Sequence, residues 1–429
     1  MKSTRLTTLI FVGMVLGILV GYLCSITWPD PQTAKEISGY IALISDIFLR
    51  LIKMIIAPLV FSTLVVGIAH MGDTASVGRV GGKALLWFVG ASFCSLALGL
   101  VLVNLLGPGH NLNLPLPDTG AGTGLKTASL SLKDFVTHLV PKSAVEAMAN
   151  NEILQIVVFS IFFGVGLAAL GEKGKALAHG VEQLAEVMLK VTGYVMNFAP
   201  LAVFAAVAAT ITTQGIGVLV TYGTFLVEFY LSLSVLWLAL LAAGGLLVGV
   251  GGLRRLIGLI KEPFVLAFST ASSEAAYPKT LANLEKFGVP NRITSFVLPM
   301  GYSFNLDGSM MYCTFAVLFI AQAYGIPLTW GQQLTMLFLL MVTSKGMAGV
   351  PRASLVVISA TLAQFNIPEA GLLLIIGIDQ FLDMGRSATN VLGNSIATVA
   401  VAKWEGQLTE TDQSLDREIG GAPAPSAAE

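Results

Sequence analysis

The sequence predicts an all-α, polytopic membrane protein with re-entrant helical hairpins. Three observations carry this. Of 429 residues, 55% are hydrophobic and 11% charged, whereas a soluble domain carries about 25% charged residues. Apolar runs long enough to cross a bilayer, which takes about 20 residues, recur along the first 250 positions. Beyond residue 250 the runs are broken by small and polar residues, as in segments that enter a membrane without crossing it. Mean hydropathy is +0.80.

The first run, about residues 6–27, follows Lys2 and Arg5 and lacks a small-residue cleavage site, so it reads as a retained span. Further spans are expected near 44–70, 82–107, 152–171, 183–212 and 218–250. The Gly/Pro/Thr/Asn/Lys-rich interval 108–150 reads as a loop outside the hydrocarbon. A helical hairpin is expected over 256–285, clearest at 262–285, where both ends are apolar and the middle is small and polar. An apolar helix at 293–322 is interrupted at GYSFNLDGS. The hairpin pattern returns at 333–364, and a polar helix follows at 367–403. Two interrupted segments in corresponding positions point to inverted repeats around a midplane site. This divides the chain into 1–250, a core at 251–404, and an acidic, then Pro/Ala-rich tail at 405–429 that reads as disordered.

Basic residues in short loops set the orientation. Lys2, Arg5, Arg79, Lys83, Lys173, Lys175, Arg254, Arg255 and Lys261 fall on one side if each candidate crosses once. Both termini are then cytoplasmic. A net charge of −1 offers no basic surface to nucleic acid. Cys24, Cys94 and Cys313 have no CxxC spacing and the four histidines are scattered, so neither a disulfide framework nor a zinc site is indicated. No nucleophile–base pair appears, so no enzyme and no cofactor are expected; the partners are membrane lipid and a small-molecule substrate.

The stretch 376–394, IGIDQFLDMGRSATNVLGN, carries most of the chemistry. Asp379, Asp383, Arg386 and Asn390 are spaced i, i+4, i+7 and i+11, one narrow stripe of a helix. A charge at membrane depth costs about 2.5–3.5 kcal/mol on insertion scales, so such residues mark function by default. The bland alternative is an Asp383–Arg386 ion pair that welds two helices. In GYSFNLDGS, Asn305, Asp307 and Gly308 suggest unwound backbone whose carbonyls, with a carboxylate, suit a small hard cation. A plain glycine kink competes with this. Ser269, Thr270, Ser272 and Ser273 cluster at the first hairpin tip, and Ser344, Gly346, Gly349 and Ser354 at the second. Helix N-termini at such tips favour a carboxylate, although small residues also serve close helix packing. Glu274 reads either as a proton carrier or, preferred here, as a solvated charge at the mouth. Arg386 offers a planar fork for one carboxylate, the hairpin N–H groups suit a second, and Asp383 suits an ammonium. A ligand with those three groups is an acidic amino acid.

These motifs, FSTASSEAAYP at 268–278, GYSFNLDGS at 301–309, TSKGMAGVPRAS at 343–354 and GIDQFLDMGRSATNVLGN at 377–394, resemble those of the glutamate transporter family, the dicarboxylate/amino acid:cation symporters. The resemblance spans about 5–405. It implies eight transmembrane helices and two hairpins in a homotrimer. Helices one, two, four and five would form the scaffold; helices three, six, seven and eight, with the hairpins, would move as an elevator. The second hairpin would be the outer gate.

The resemblance places substrate at the backbone around Ser272, Ser273 and Val350, at Ser309, and at Asp383, Arg386, Ser387 and Asn390. One sodium would use Gly301, Asn390, Asn305 and position 394, where this chain has Asn394 in place of a carboxylate. A second would use Ser344, Lys345, Met347 and the backbone near Ser303. A third would use Asp307, Asn305 and Ser92, with Phe88 and Ala91 replacing the family's Tyr and Thr. Cys313 stands where mammalian members keep a proton-carrying glutamate, and Ala271 where archaeal ones have an arginine. The departures suggest fewer sodium ions, or a proton in place of some. Many bacterial members share the SKG of the second hairpin and the Gly-Asn of 393–394, and protons take part in coupling in some.

The expectation is therefore a symporter of glutamate or aspartate in a bacterial-type inner membrane, driven by sodium, protons or both. Symport of C4-dicarboxylates such as succinate is the runner-up. A channel reading rests on the interrupted helix; two hairpins around an occluded site favour alternating access.

Overall fold

The computed structural model describes residues 3–69, 74–110, 116–117, 140–215, 222–344, 353–376 and 378–409. Almost all of them are helical, and no strand occurs among them. In chain order the helices are α1 (Ser3–Thr27), α2 (Pro31–Ala69), α3 (Thr74–Leu106), α4 (Ala144–Ala149), α5 (Ile153–Ala169), α6 (Lys175–Met196) and α7 (Ala199–Gln214). There follow α8 (Gly223–Thr270), α9 (Ser273–Phe287), α10 (Asn291–Phe304), α11 (Asp307–Ala323), α12 (Trp330–Thr343), α13 (Ala353–Gln364), α14 (Leu373–Ile376) and α15 (Asp379–Trp404).

α1 faces outward on most of its circumference. Its buried side is a thin stripe, Ile10, Gly13, Gly17 and Gly21. A Cβ on any of the three glycines would strike the main-chain oxygens of Pro200, Phe204 and Ala208 on α7. Glycine at every fourth position lets the two backbones touch, which is how helices pack when lipid supplies no hydrophobic drive. Leu19 and Leu23 on the other side are 54% and 61% exposed.

Several boundaries differ from expectation for identifiable reasons. α2 begins at Pro31, before the expected start at 44, because Asp30 caps it: its carboxylate accepts from Thr33 N and Oγ1, both at 2.8 Å. The single span expected over 183–212 is two helices meeting at 53°. Pro200, in the first turn of α7, has no N–H to continue the α6 ladder. The loop 108–150 contains α4, capped by Ser143; residues 111–115 and 118–139 lie outside the described residues. The tail is ordered at its start: Arg292 Nε donates to Gln407 Oε1 at 2.9 Å, and Thr409 N to Gly288 O at 3.0 Å. Residues 410–429 lie outside the described residues.

Over the range where a re-entrant hairpin is expected, 256–285, the chain runs helix–turn–helix. α8 is broken at Gly249 (φ 73°), and its second part, 250–270, turns at Ala271 (φ 49°) into α9. Cross-contacts run antiparallel: Glu262 with Lys279 at 3.1 Å, Asn283 Nδ2 to Leu259 O at 2.7 Å, and Arg255 to Lys286 O at 2.9 Å. The interruption expected within 293–322 lies between α10 and α11. α12 and α13 flank residues 345–352, which are outside the described set, so the second tip is not placed. The polar helix expected at 367–403 starts as a short turn and α14, then runs from Asp379 as α15. Every residue from Gly385 to Ala402 is buried.

Candidate substrate and cation site

The centre is the break between α10 and α11. Asn305 (φ −122°, ψ 63°) and Leu306 (φ −96°, ψ 64°) leave the helix. A continuous helix would give the Gly308 N–H to Phe304 O. Here Gly308 N donates to Asn390 Oδ1 of α15 at 2.9 Å, and the released Phe304 carbonyl accepts from Ser92 Oγ of α3 at 3.4 Å. The side chain of Asn390 thus replaces a missing turn. Its Nδ2 reaches Ser309 Oγ at 3.4 Å.

Below the break lies an oxygen-rich cluster. Asn305 Nδ2 donates to Asp307 Oδ2 and to Asn394 Oδ1, both at 3.2 Å, and Ser95 Oγ donates to Asp307 Oδ1 at 3.2 Å. Asn305 and Asp307 are fully buried and Asn394 nearly so. Glycine makes the room: a Cβ on Gly393 would overlap the Asp307 carboxylate, and one on Gly301 the Asn394 amide oxygen. Asn305 Oδ1 and Ser303 Oγ are buried without a hydrogen-bond partner among the described residues. Leaving such atoms unpaired costs about 1–3 kcal/mol each, and a hard cation would satisfy oxygens of this kind. No cluster of three His, Cys, Asp or Glu occurs among the described residues, so any ion held here rests on neutral oxygens around one carboxylate.

The second half of the site lies one turn up α15. Arg386, 2% exposed, contacts Asp379 Oδ1 at 3.2 Å and Asp383 Oδ1 at 3.1 Å, and its guanidinium lies 4.2 Å from the centre of the Tyr312 ring. Tyr312 OH donates to Asp379 Oδ1 at 3.3 Å, and Ser387 Oγ to Asp383 Oδ1 at 3.4 Å. Arg386 Nε is buried with no partner among the described residues. The Asp379 side chain is buried, whereas that of Asp383 is 38% exposed. The Asp383–Arg386 ion pair therefore exists, but Asp379 and Tyr312 are what hold the arginine from behind. Tyr312 carried no signal in the sequence: it is one aromatic in an apolar run.

At the first tip, Ser272 is extended and its hydroxyl accepts from Ala275 N at 3.3 Å, capping α9. Ser273 opens the helix. Ser269 faces α1, its Oγ 3.7 Å from Met14 Sδ, and Thr270 Oγ1 bonds Leu266 O at 2.7 Å and Ser272 O at 3.5 Å. Ser344 is buried, its Oγ on Met341 O at 3.2 Å. Lys345, Gly346, Met347, Gly349, Val350 and Arg352 lie outside the described residues. Phe88 and Cys313 are buried and bring no carboxylate or hydroxyl to the cluster.

A site with a buried arginine, an oxygen cluster and a broken helix, inside a chain with at least five helices long and apolar enough to cross a bilayer, is that of a multi-pass membrane transporter. Residues 6–404 match the model of the sodium:dicarboxylate symporter family, and the chain belongs to that family, whose members are cation-coupled symporters and not enzymes. It is 42% identical over 415 residues to a proton/sodium-glutamate symport protein of Bacillus caldotenax, covering 96% of this chain and 97% of that one. It is 41% identical over 421 residues to a C4-dicarboxylate transport protein of Citrifermentans bemidjiense (96% and 93% covered). A C4-dicarboxylate transport protein of Burkholderia cenocepacia is 40% identical over 434 residues (99% of both).

Proposed function

We propose that this symporter imports glutamate and aspartate, coupled to sodium, protons or both, by alternating access. The observation that carries the substrate is Arg386: a buried guanidinium with an unpaired Nε beside a partly exposed Asp383. The guanidinium takes the substrate's side-chain carboxylate. Asp383 takes the ammonium, and Ser309, Ser387 and Asn390 complete the contacts. The second carboxylate goes to main-chain N–H groups at the hairpin tips, around Ser272, Ser273 and Val350. Cations take Asn305, Asp307, Gly301, Ser303, Asn390 and Asn394, with Ser92 beside them and Ser344, Lys345 and Met347 at the second tip. The unpaired Asn305 and Ser303 oxygens support this assignment.

The architecture that goes with this reading is eight transmembrane helices and two re-entrant hairpins in a homotrimer. Residues 1–250 would supply the scaffold and two of the moving helices, and 251–404 the transport core. The protein would sit in the inner membrane with both termini cytoplasmic. C4-dicarboxylate symport is the alternative, favoured by relatives of nearly equal identity that carry that name. In it Asp383 stays on Arg386 and no ammonium is read. Counterflow in proteoliposomes separates the two. Labelled glutamate is expected to exchange saturably with unlabelled glutamate and aspartate. Exchange with succinate alone selects the alternative, and absence of any saturable exchange refutes transport by this site.

A further inference from the structure

Glu274 stands apart from both clusters. It lies in the first turn of α9, beside Ser272 and Ser273, and faces a crevice walled by Ile56 and Val60 of α2, Ile153 of α5 and Pro299 of α10. Two other polar groups line the same crevice, Tyr277 and Tyr302. They are 2% and 4% exposed, their rings meet edge to face at 5.5 Å, and the hydroxyls within reach of theirs are that of Thr63 for Tyr277 and that of Thr280 for Tyr302. The nearby threonines, Thr63 and Thr280, give their own hydroxyl protons to the helix carbonyls of Leu59 and Ala276. Among the described residues, the charged or titratable groups that face Glu274 are Lys53 of α2, which forms no ion pair with it, Tyr277 on its own helix, and Tyr302 of α10. α5 presents only Ile153.

A carboxylate against apolar walls is costly as an anion. A neutral carboxyl with two phenols is not, because each phenol both donates and accepts. Four oxygens also fall short of the roughly six or more that a hard cation requires. We propose that Glu274 is the proton carrier of this symporter, taking a proton from outer water and releasing it to the cytoplasm once per cycle, with Tyr277 and Tyr302 holding the neutral acid between. This rests on the alternating-access reading above. The crevice lies between the parts that reading sets in relative motion, so the carboxyl passes the walls of α2 and α5 only when protonated.

The test uses the full-length protein in proteoliposomes. Glu274→Gln is expected to keep exchange of labelled for unlabelled substrate and to lose accumulation driven by an imposed pH gradient. Glu274→Asp is expected to restore part of that accumulation. Tyr302→Phe, which keeps the ring, is expected to shift the pH dependence of proton-driven uptake. Wild-type accumulation under a pH gradient by Glu274→Gln, or unmoved pH profiles in Glu274→Asp and Tyr302→Phe, overturns the proposal. So does a wild-type protein driven by sodium alone, which leaves symport standing. Only a wild type without exchange removes the reading beneath it.

Discussion

α1 and α15 are nearly equal in length, 25 and 26 residues, and opposite in placement. α1 is apolar around its circumference and turns most of it outward, holding on to α7 by a glycine stripe. α15 carries two aspartates, an arginine and two asparagines, and is enclosed along most of its length. In water the apolar helix would be the interior one. In lipid the relation inverts, because the solvent is hydrocarbon and only the protein interior can satisfy polar groups. Polarity at membrane depth therefore locates the site, and apolarity locates the surface.

The contrast is tested hardest at Arg386. Arg386→Cys leaves Asp379 and Asp383 facing each other without their cation. Breaking a buried pair costs about 3–5 kcal/mol, so uptake of acidic amino acids should fall by more than about a hundredfold, each 1.4 kcal/mol being tenfold. Undiminished glutamate uptake by that variant would falsify the assignment. Asp307→Asn comes next. It removes the one carboxylate among the neutral oxygens of Asn305, Ser303 and Asn394, and weaker cation dependence of uptake is expected; an unchanged sodium and proton dependence counts against it.

A smaller effect is expected at the end of α15. Glu405 accepts from Arg79 at 3.0 Å and pairs with Lys83 at 2.7 Å, tying α15 to α3 beside the Trp87–Trp404 contact. Burial pushes its carboxyl up, but the hydrogen bonds and charges of Lys83 and Arg79 outweigh this and hold it below the usual carboxylate range. A depressed acid contributes stability above its unfolded-state pKa, near 4.3 for glutamate, and loses it as pH falls through the folded value. Glu405→Gln should therefore melt below wild type at neutral pH, and the gap should close in acid. A gap that persists in acid would show that the charge was not its source. The least effect belongs to Leu246, 90% exposed on α8. Leu246→Ala should change stability in detergent or lipid by less than about 0.5 kcal/mol. A larger loss would mean that this face is covered by protein.

What the sequence revealed follows the same contrast. Apolar runs marked α1, α3 and the first part of α8, because a solvent of lipid writes its requirement into composition. The polar stripe of α15 and the break at Asn305 stood out for the converse reason. The α6–α7 bend was hidden because the run stays apolar across it, and Pro200 reads equally well as a helix start or a kink. Ser269 and Ser272 look alike in sequence; only the αL turn at Ala271 decides that one faces α1 and the other caps α9. That Tyr312 braces Arg386 alongside Asp379 depends on α11 meeting α15, which no local pattern encodes.

Asn390 carries one further consequence. Its amide oxygen holds the broken helix open above the Asn305–Asp307–Asn394 cluster and its amide nitrogen reaches Ser309, so under the proposed function it is common to the cation and substrate sites. A group common to two ligand sites makes their affinities interdependent, and linkage makes that dependence mutual. Whatever factor a bound cation adds to substrate affinity, bound substrate must add to cation affinity. In a carrier that crosses only when fully loaded, such reciprocity limits slippage, and one carboxamide bridging both sites is a short route to it.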